Sequence, residues 1–115
     1  MDLILNGKRN NMHRYTKGAR FERKIIHNLI DMGALIAIRG AGSKSAGSIK
    51  ADIMALFPSG HLLIVQAKNS GSKFRKEREA FESHPELPRV LWLWAEPESC
   101  EERLRELEKL LKEAQ

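Results

Sequence analysis

The chain has 115 residues, 42% of them hydrophobic, and a formal net charge of +5. That is about the size of one domain, with enough apolar material for a single core without staples. It excludes a helical membrane protein, because no apolar run approaches the roughly 20 residues a bilayer crossing needs, and a disulfide scaffold, because Cys100 is the single cysteine. Met1–Leu5 is too short and too acidic to open a secretory signal, so the expectation is a cytoplasmic protein, or an intracellular one in an infected host if its origin is viral.

The charge is unevenly placed. Residues 1–78 hold 15 Lys/Arg against 5 Asp/Glu, a balance of +10, whereas 79–115 hold 5 against 10, a balance of −5. A basic N-terminal two-thirds suits a polyanionic partner, since clustered Lys and Arg displace counterions from phosphates. A generic basic surface would give the same count.

Residues 1–14, with Asn-Gly and Asn-Asn steps and no sustained period, predict a flexible basic arm ahead of one domain at 15–115. Phe21, Ile25, Leu29 and Met32, joined by Ile26 and Ile30, predict an amphipathic helix from Thr16 to Met32 that Gly33 ends. Another face of that helix carries Lys17, Arg20, Lys24 and His27. Ala34–Arg39 predicts a strand, and the Gly/Ser-rich 40–48 a loop. Ile49–Phe57 and His61–Lys68 predict two strands joined by Pro58-Ser-Gly60, followed by a helix at Lys73–Ser83 and a fourth strand at Arg89–Ala95. In that strand Trp92 and Trp94 alternate with Leu91 and Leu93, so one pair should face the core and the other a helix or partner chain. Glu101–Ala114 predicts a closing helix with Leu104, Leu107, Leu110 and Leu111 on one face and a Ser99/Glu102 capping box. The order is αβββαβα, an α/β fold with a mixed sheet flanked by helices and a right-handed parallel crossover between the last two strands.

Within this frame an acid, an amide and a lysine call for explanation. Alternation puts Gln66 and Lys68 on one side of their strand. About six residues lie on either side of the turn at 58–60, so Asp52 should stand beside Gln66. A carboxylate in an apolar strand is costly unless a cation offsets it, and Asp52 with an amide oxygen offers hard ligands of the kind Mg²⁺ or Mn²⁺ prefers. The competing arrangement is a plain Asp52–Lys68 salt bridge. Glu22, on the flank shared by Ile25 and Ile26, is directed partly toward the sheet and supplies a second acid.

Four segments then form a pattern: Tyr15-Thr-Lys-Gly-Ala-Arg-Phe-Glu22-Arg23, Arg39-Gly-Ala-Gly-Ser43-Lys44, Lys50-Ala-Asp52-Ile and Val65-Gln66-Ala67-Lys68. In this order and spacing, over about residues 15–95, they resemble the archaeal-type Holliday junction resolvases of the PD-(D/E)xK nuclease superfamily. The resemblance implies a restriction-endonuclease-like fold and a metal-dependent endonuclease, usually a homodimer, that cuts paired strands of branched DNA at four-way junctions. It casts Glu22, Asp52, Gln66 and Lys68 as the catalytic set, with Glu22, Asp52, Gln66 and Ala67 around the metal. Asp52 would be the principal ligand, and Lys68 would orient or activate water or stabilise phosphate charge. Lys17, Arg20, Arg23, Arg39, Ser43, Lys44 and Lys50 would meet DNA. The sequence departs at position 66, where the family normally carries Glu; VRR-NUC-type relatives in the superfamily have Gln-x-Lys. Losing that charge weakens the expected metal cage. It keeps two alternatives open: a related nuclease acting on flaps or duplex DNA, and a DNA-binding module with weakened catalysis.

Overall fold

The computed structural model describes residues 18–40, 49–68 and 74–114. The predicted arm at 1–14, Lys17, the loop residues 41–48 with Ser43 and Lys44, and Lys73 lie outside the described residues.

Helix α1 runs over residues 18–31. Ala19, Ile25 and Leu29 are buried along it, and Phe21, Ile26 and Met32 pack beside them, so the three- and four-residue spacing does set the buried stripe. Ile30, expected among the apolar contacts, is exposed because it lies one position past that stripe. Gly33 ends the helix at φ 104°. Its N–H donates to the Ile30 carbonyl at 2.9 Å, and the Ala34 N–H donates to Leu29 at 3.0 Å, the paired closure of a Schellman motif. A Cβ at Gly33 would meet nothing within 4 Å; glycine is needed there for its backbone angle, not for space.

Strands β1 (Ile36–Arg39), β2 (Ile53–Leu56), β3 (Leu62–Ala67) and β4 (Val90–Ala95) form one sheet in the order β1-β2-β3-β4. The first two junctions are antiparallel and the third is parallel, the crossover being made through α2 (Arg75–Glu82). Helix α3 (Cys100–Glu113) follows. The mixed sheet with flanking helices is the α/β arrangement the sequence predicts. All four strands are shorter than expected, β1 and β2 each for a local reason. Ala34 is spent on the helix cap, so β1 starts at Ile36. At the start of β2 the Asp52 side chain receives the Ala67 N–H, so the main-chain ladder stops at Ile53.

Alternation divides the sheet into two faces. On one, Ile53, Ala55, Leu63, Val65, Leu93 and Ala95 form the core with Ile25 and Leu29 of α1 and Cys100, Leu104 and Leu111 of α3. On the other, Phe81 of α2 sits edge-on to Trp92, with ring centroids 6.0 Å apart, and tilted against Trp94 at 5.9 Å. The alternate placing of leucines and tryptophans therefore holds. Trp94 Nε1 donates to Glu96 Oε1 at 2.6 Å, and Arg78 reaches the same oxygen at 3.1 Å, tying α2 to the end of β4.

Two details of α3 differ from expectation. Ser99 is its N-cap, but its side chain makes no capping hydrogen bond. Its φ of −117° and ψ of −2° keep it in a turn rather than in the extended conformation that swings a hydroxyl over the first helical amides. The Glu96 carbonyl takes the Cys100 N–H at 2.9 Å. Leu110 is exposed, since the buried line runs through Leu104, Leu107 and Leu111 and leaves it on the flank. Among the described residues no helix is long and apolar enough to cross a membrane.

Candidate active site

Asp52 stands just before Ile53, the first residue of β2, which pairs with Val65. The Asp52 N–H donates to Val65 at 2.8 Å, and its carbonyl accepts the Gly40 N–H at 2.6 Å. Its carboxylate Oδ2 accepts the Ala67 N–H at 2.9 Å. A short acid can occupy the next ladder position in this way because its oxygen reaches about as far as the carbonyl it replaces. The competing Asp52–Lys68 salt bridge does not form; among the described residues Lys68 pairs with Glu77.

Glu22 approaches from α1. It begins the line Glu22, Ile25, Ile26, Leu29 that faces the sheet, and its side chain is 20% exposed. Its carboxyl titrates above the usual value because burial disfavours the charge and Asp52 repels it, while Arg39 works in the opposite direction. Arg39 Nε lies 3.4 Å from Glu22 Oε1 without an aligned hydrogen bond, so the contact is ionic. Arg39, expected on DNA, is paired with this acid in the protein alone. Its register opposite Ile53 places it on the face α1 covers.

Gln66 is 9% exposed and is the buried polar residue of the core region. Among the described residues its Oε1 has no hydrogen-bond partner, an arrangement that costs free energy unless a further group meets the oxygen. It pairs with Trp94 across the parallel junction, which puts it on the α2 side of the sheet. Ala67, expected in the metal set, holds Asp52 through its N–H. Lys68 follows the strand, its N–H donating to Ala95 at 2.9 Å. Its ammonium lies 2.9 Å from Glu77 Oε2 and 4.5 Å from the centre of the Phe74 ring. The expected constellation therefore straddles the end of the sheet: Glu22 and Arg39 on the α1 side, Gln66 and Lys68 on the α2 side, and Asp52 between them.

Among the described residues no cluster of three His, Cys, Asp or Glu side chains is placed to hold a metal. The donor set is two carboxylates and an amide. Glu22 and Asp52, two mutually repelling acids, nonetheless suit a hard divalent cation such as Mg²⁺ or Mn²⁺ and are the groups that would hold it, while Gln66 offers its oxygen from the α2 side of the sheet.

Of the residues expected to meet DNA, Arg20, Arg23 and Lys50 are exposed and make no ion pair among the described residues. Lys24, from the same basic stripe, lies 3.7 Å from Glu101. Further along, Arg78 is committed to Glu82 and Glu96 and Arg75 to Glu79. Glu77 and Phe74 were not anticipated from the sequence. The signal was present: Glu77 is the lone acid in the run Lys73-Phe-Arg-Lys-Glu-Arg78, and a single acid among bases is placed to hold one of them or a neighbour. A groove of about 270 Å³ between α1 and α3, lined by Lys24, Asp31, Glu101 and Arg105, contains none of these site residues.

No curated protein and no solved structure matches the chain significantly. A family model described as archaeal Holliday junction resolvase (Hjc) matches residues 13–86, a span that takes in Glu22, Arg39, Asp52, Gln66, Lys68 and Glu77. With more than half of its length matched and its acids gathered at one end of a mixed sheet, the chain belongs to the archaeal Holliday junction resolvase family.

Proposed function

We propose that the protein is a divalent-metal-dependent endonuclease that resolves four-way DNA junctions by phosphodiester hydrolysis, acting as a homodimer. The observation that carries this reading is the electrostatic coupling of Glu22, paired with Arg39, to Asp52 at the sheet's end. Membership of the family supports the substrate.

A bound divalent cation would supply charge neutralisation at the phosphate and a more acidic water. The chain's own residues do the rest. The Ala67 N–H fixes one carboxylate oxygen of Asp52, so the other is presented in a set direction. Arg39 offsets part of the upward push that burial and Asp52 exert on the Glu22 carboxyl. Lys68 brings a positive charge to the α2 side, where it stabilises charge that grows on the phosphate oxygens. Arg20, Arg23 and Lys50 offer exposed positive charge to the DNA backbone, which steers and positions without reading sequence.

The homodimer is supported by the uncovered part of the sheet. Ile36, Ile38, Met54 and Leu56 share one face of β1 and β2, and all are exposed, Ile38 at 55%. A contiguous apolar face of this kind marks an association surface. Light scattering on the purified chain tests it; a monomer at micromolar concentration argues against a dimer.

The cleavage test uses a synthetic four-way junction with and without Mg²⁺. Symmetrical paired nicks that require the cation and vanish in Asp52→Ala support the reading. Absence of metal-dependent cutting on the junction counts against it. Gln66 favours a second reading, in which its missing charge has moved the activity to flaps or duplex DNA or left mainly binding. Preferential flap cleavage, or salt-sensitive binding without cleavage, would establish one of those instead.

A further inference from the structure

We infer that Glu77 is the positioning residue for Lys68, holding its ammonium at the α2 side of the sheet's end. The inference rests on the nuclease reading above, in which Lys68 stabilises phosphate charge.

A lysine is a point charge on a flexible four-carbon stem, and it serves a transition state only if its ammonium is placed beforehand. Lys68 is anchored at three levels. Its main-chain N–H is tied to the Ala95 carbonyl at 2.9 Å, which sets the origin of the side chain. Its stem and head run over the Phe74 ring, with Nζ 4.5 Å from the ring centre. Its head meets Glu77 Oε2 at 2.9 Å. The result is a lysine side chain only 22% exposed although it lies beyond the last strand residue.

Glu77 is well placed for this task; in the first turn of α2 it also complements the helix dipole, but its ion pair is made outside the helix. The i,i+4 ion pairs of α2, Arg75–Glu79 and Arg78–Glu82, run along the helix itself, whereas Glu77 leaves the helix for the strand end. The strand provides no anion on this side, because the residue at 66 is an amide. Glu77 therefore supplies from the helix the negative charge that fixes the lysine. At 56% exposure it stays accessible, so an arriving phosphate can share the ammonium without a buried charge being stranded.

The test combines cleavage kinetics with a nitrogen NMR spectrum of lysine ammonium groups, using the full chain and a synthetic four-way junction with Mg²⁺. Glu77→Gln should lower kcat by about ten-fold or more with KM within about two-fold and leave the thermal midpoint close to the parent value. Glu77→Asp should recover part of the loss. In a Lys68→Ala background, Glu77→Gln should cause no further loss. The immobilised Lys68 signal of the parent should collapse into the averaged lysine signals in Glu77→Gln. A persistent Lys68 signal in that variant overturns the inference whatever the kinetics, as does an unchanged or increased kcat. If Lys68→Ala cuts as well as the parent, the role given to Lys68 falls and the inference with it. No cleavage by the parent removes the nuclease reading itself, a different result from any of these.

Discussion

Asp52 and Ala67 are joined across the end of the sheet, the carboxylate Oδ2 accepting the Ala67 N–H at 2.9 Å where a main-chain carbonyl would otherwise stand. One side chain thereby closes the ladder and aims its own second oxygen. Structure and chemistry at this position can be separated, because an amide can accept the same hydrogen bond but cannot carry the charge.

Asp52→Asn should therefore keep the fold, with unfolding free energy within about 1 kcal/mol of the parent, while metal-dependent cleavage drops by at least about 100-fold. Asp52→Ala leaves the Ala67 N–H without its acceptor and should cost about 1–3 kcal/mol in urea unfolding as well as abolishing cleavage. Equal stability of the two variants would show that the hydrogen bond does not hold the strand end.

Glu22 gives a pH signature. Its carboxyl is raised above 4.5 by burial first and by Asp52 second, so the folded state binds its proton more tightly than the unfolded chain does. The stability that this proton contributes is complete below 4.5 and is lost as pH rises through the raised value. Glu22→Gln removes the titration, so its stability should fall less than the parent's over that interval in the absence of metal. In the parent, Mg²⁺ or Mn²⁺ should raise the thermal midpoint at neutral pH, and Glu22→Gln should lose most of that gain. A metal response identical in both would remove Glu22 from the cation's surroundings.

Gln66→Glu tests the departure at this position. A carboxylate at a 9% exposed position should destabilise the metal-free protein by roughly 1–3 kcal/mol. It should also tighten Mn²⁺ binding measured by calorimetry, since a charged oxygen replaces a neutral amide at the sheet's end. Cleavage should rise at limiting metal. Weaker metal binding in Gln66→Glu would mean that the amide is adapted to its place as it stands.

Gly40 makes a close approach that the site depends on. Its N–H donates to the Asp52 carbonyl at 2.6 Å, and an added Cβ would stand 3.0 Å from the Ala51 carbonyl oxygen and 3.3 Å from that of Asp52. Gly40→Ala must push back the segment carrying Asp52. Cleavage should fall by about ten-fold or more, given the sensitivity of such sites to displacements near 1 Å, with a smaller effect on stability than on activity. By contrast Gly33→Ala, far from the acids and free of clashes, should cost about 1 kcal/mol through its positive φ and leave kcat alone.

Several features were legible in the sequence because they are written in neighbouring residues. The spacing of Ile25 and Leu29 specifies a helix, Gly33 ends it, and a turn at 58–60 folds β2 back on β3 with Ile53 opposite Val65. The alternation of Leu91, Trp92, Leu93 and Trp94 likewise sends one pair to the core and the other to the opposite face. Such signals survive because backbone geometry repeats every two or 3.6 residues whatever the rest of the chain does.

What only the tertiary structure decided is who faces whom between layers. That Arg39 turns to Glu22, that Gln66 is left buried with an idle oxygen, that Lys68 goes to Glu77 rather than to Asp52, and that Ile30 and Leu110 stay outside the core all depend on how α1, α2 and α3 are set against the sheet. Long charged side chains can reach several partners, and the choice among them follows from packing angles and desolvation, which no short-range pattern contains.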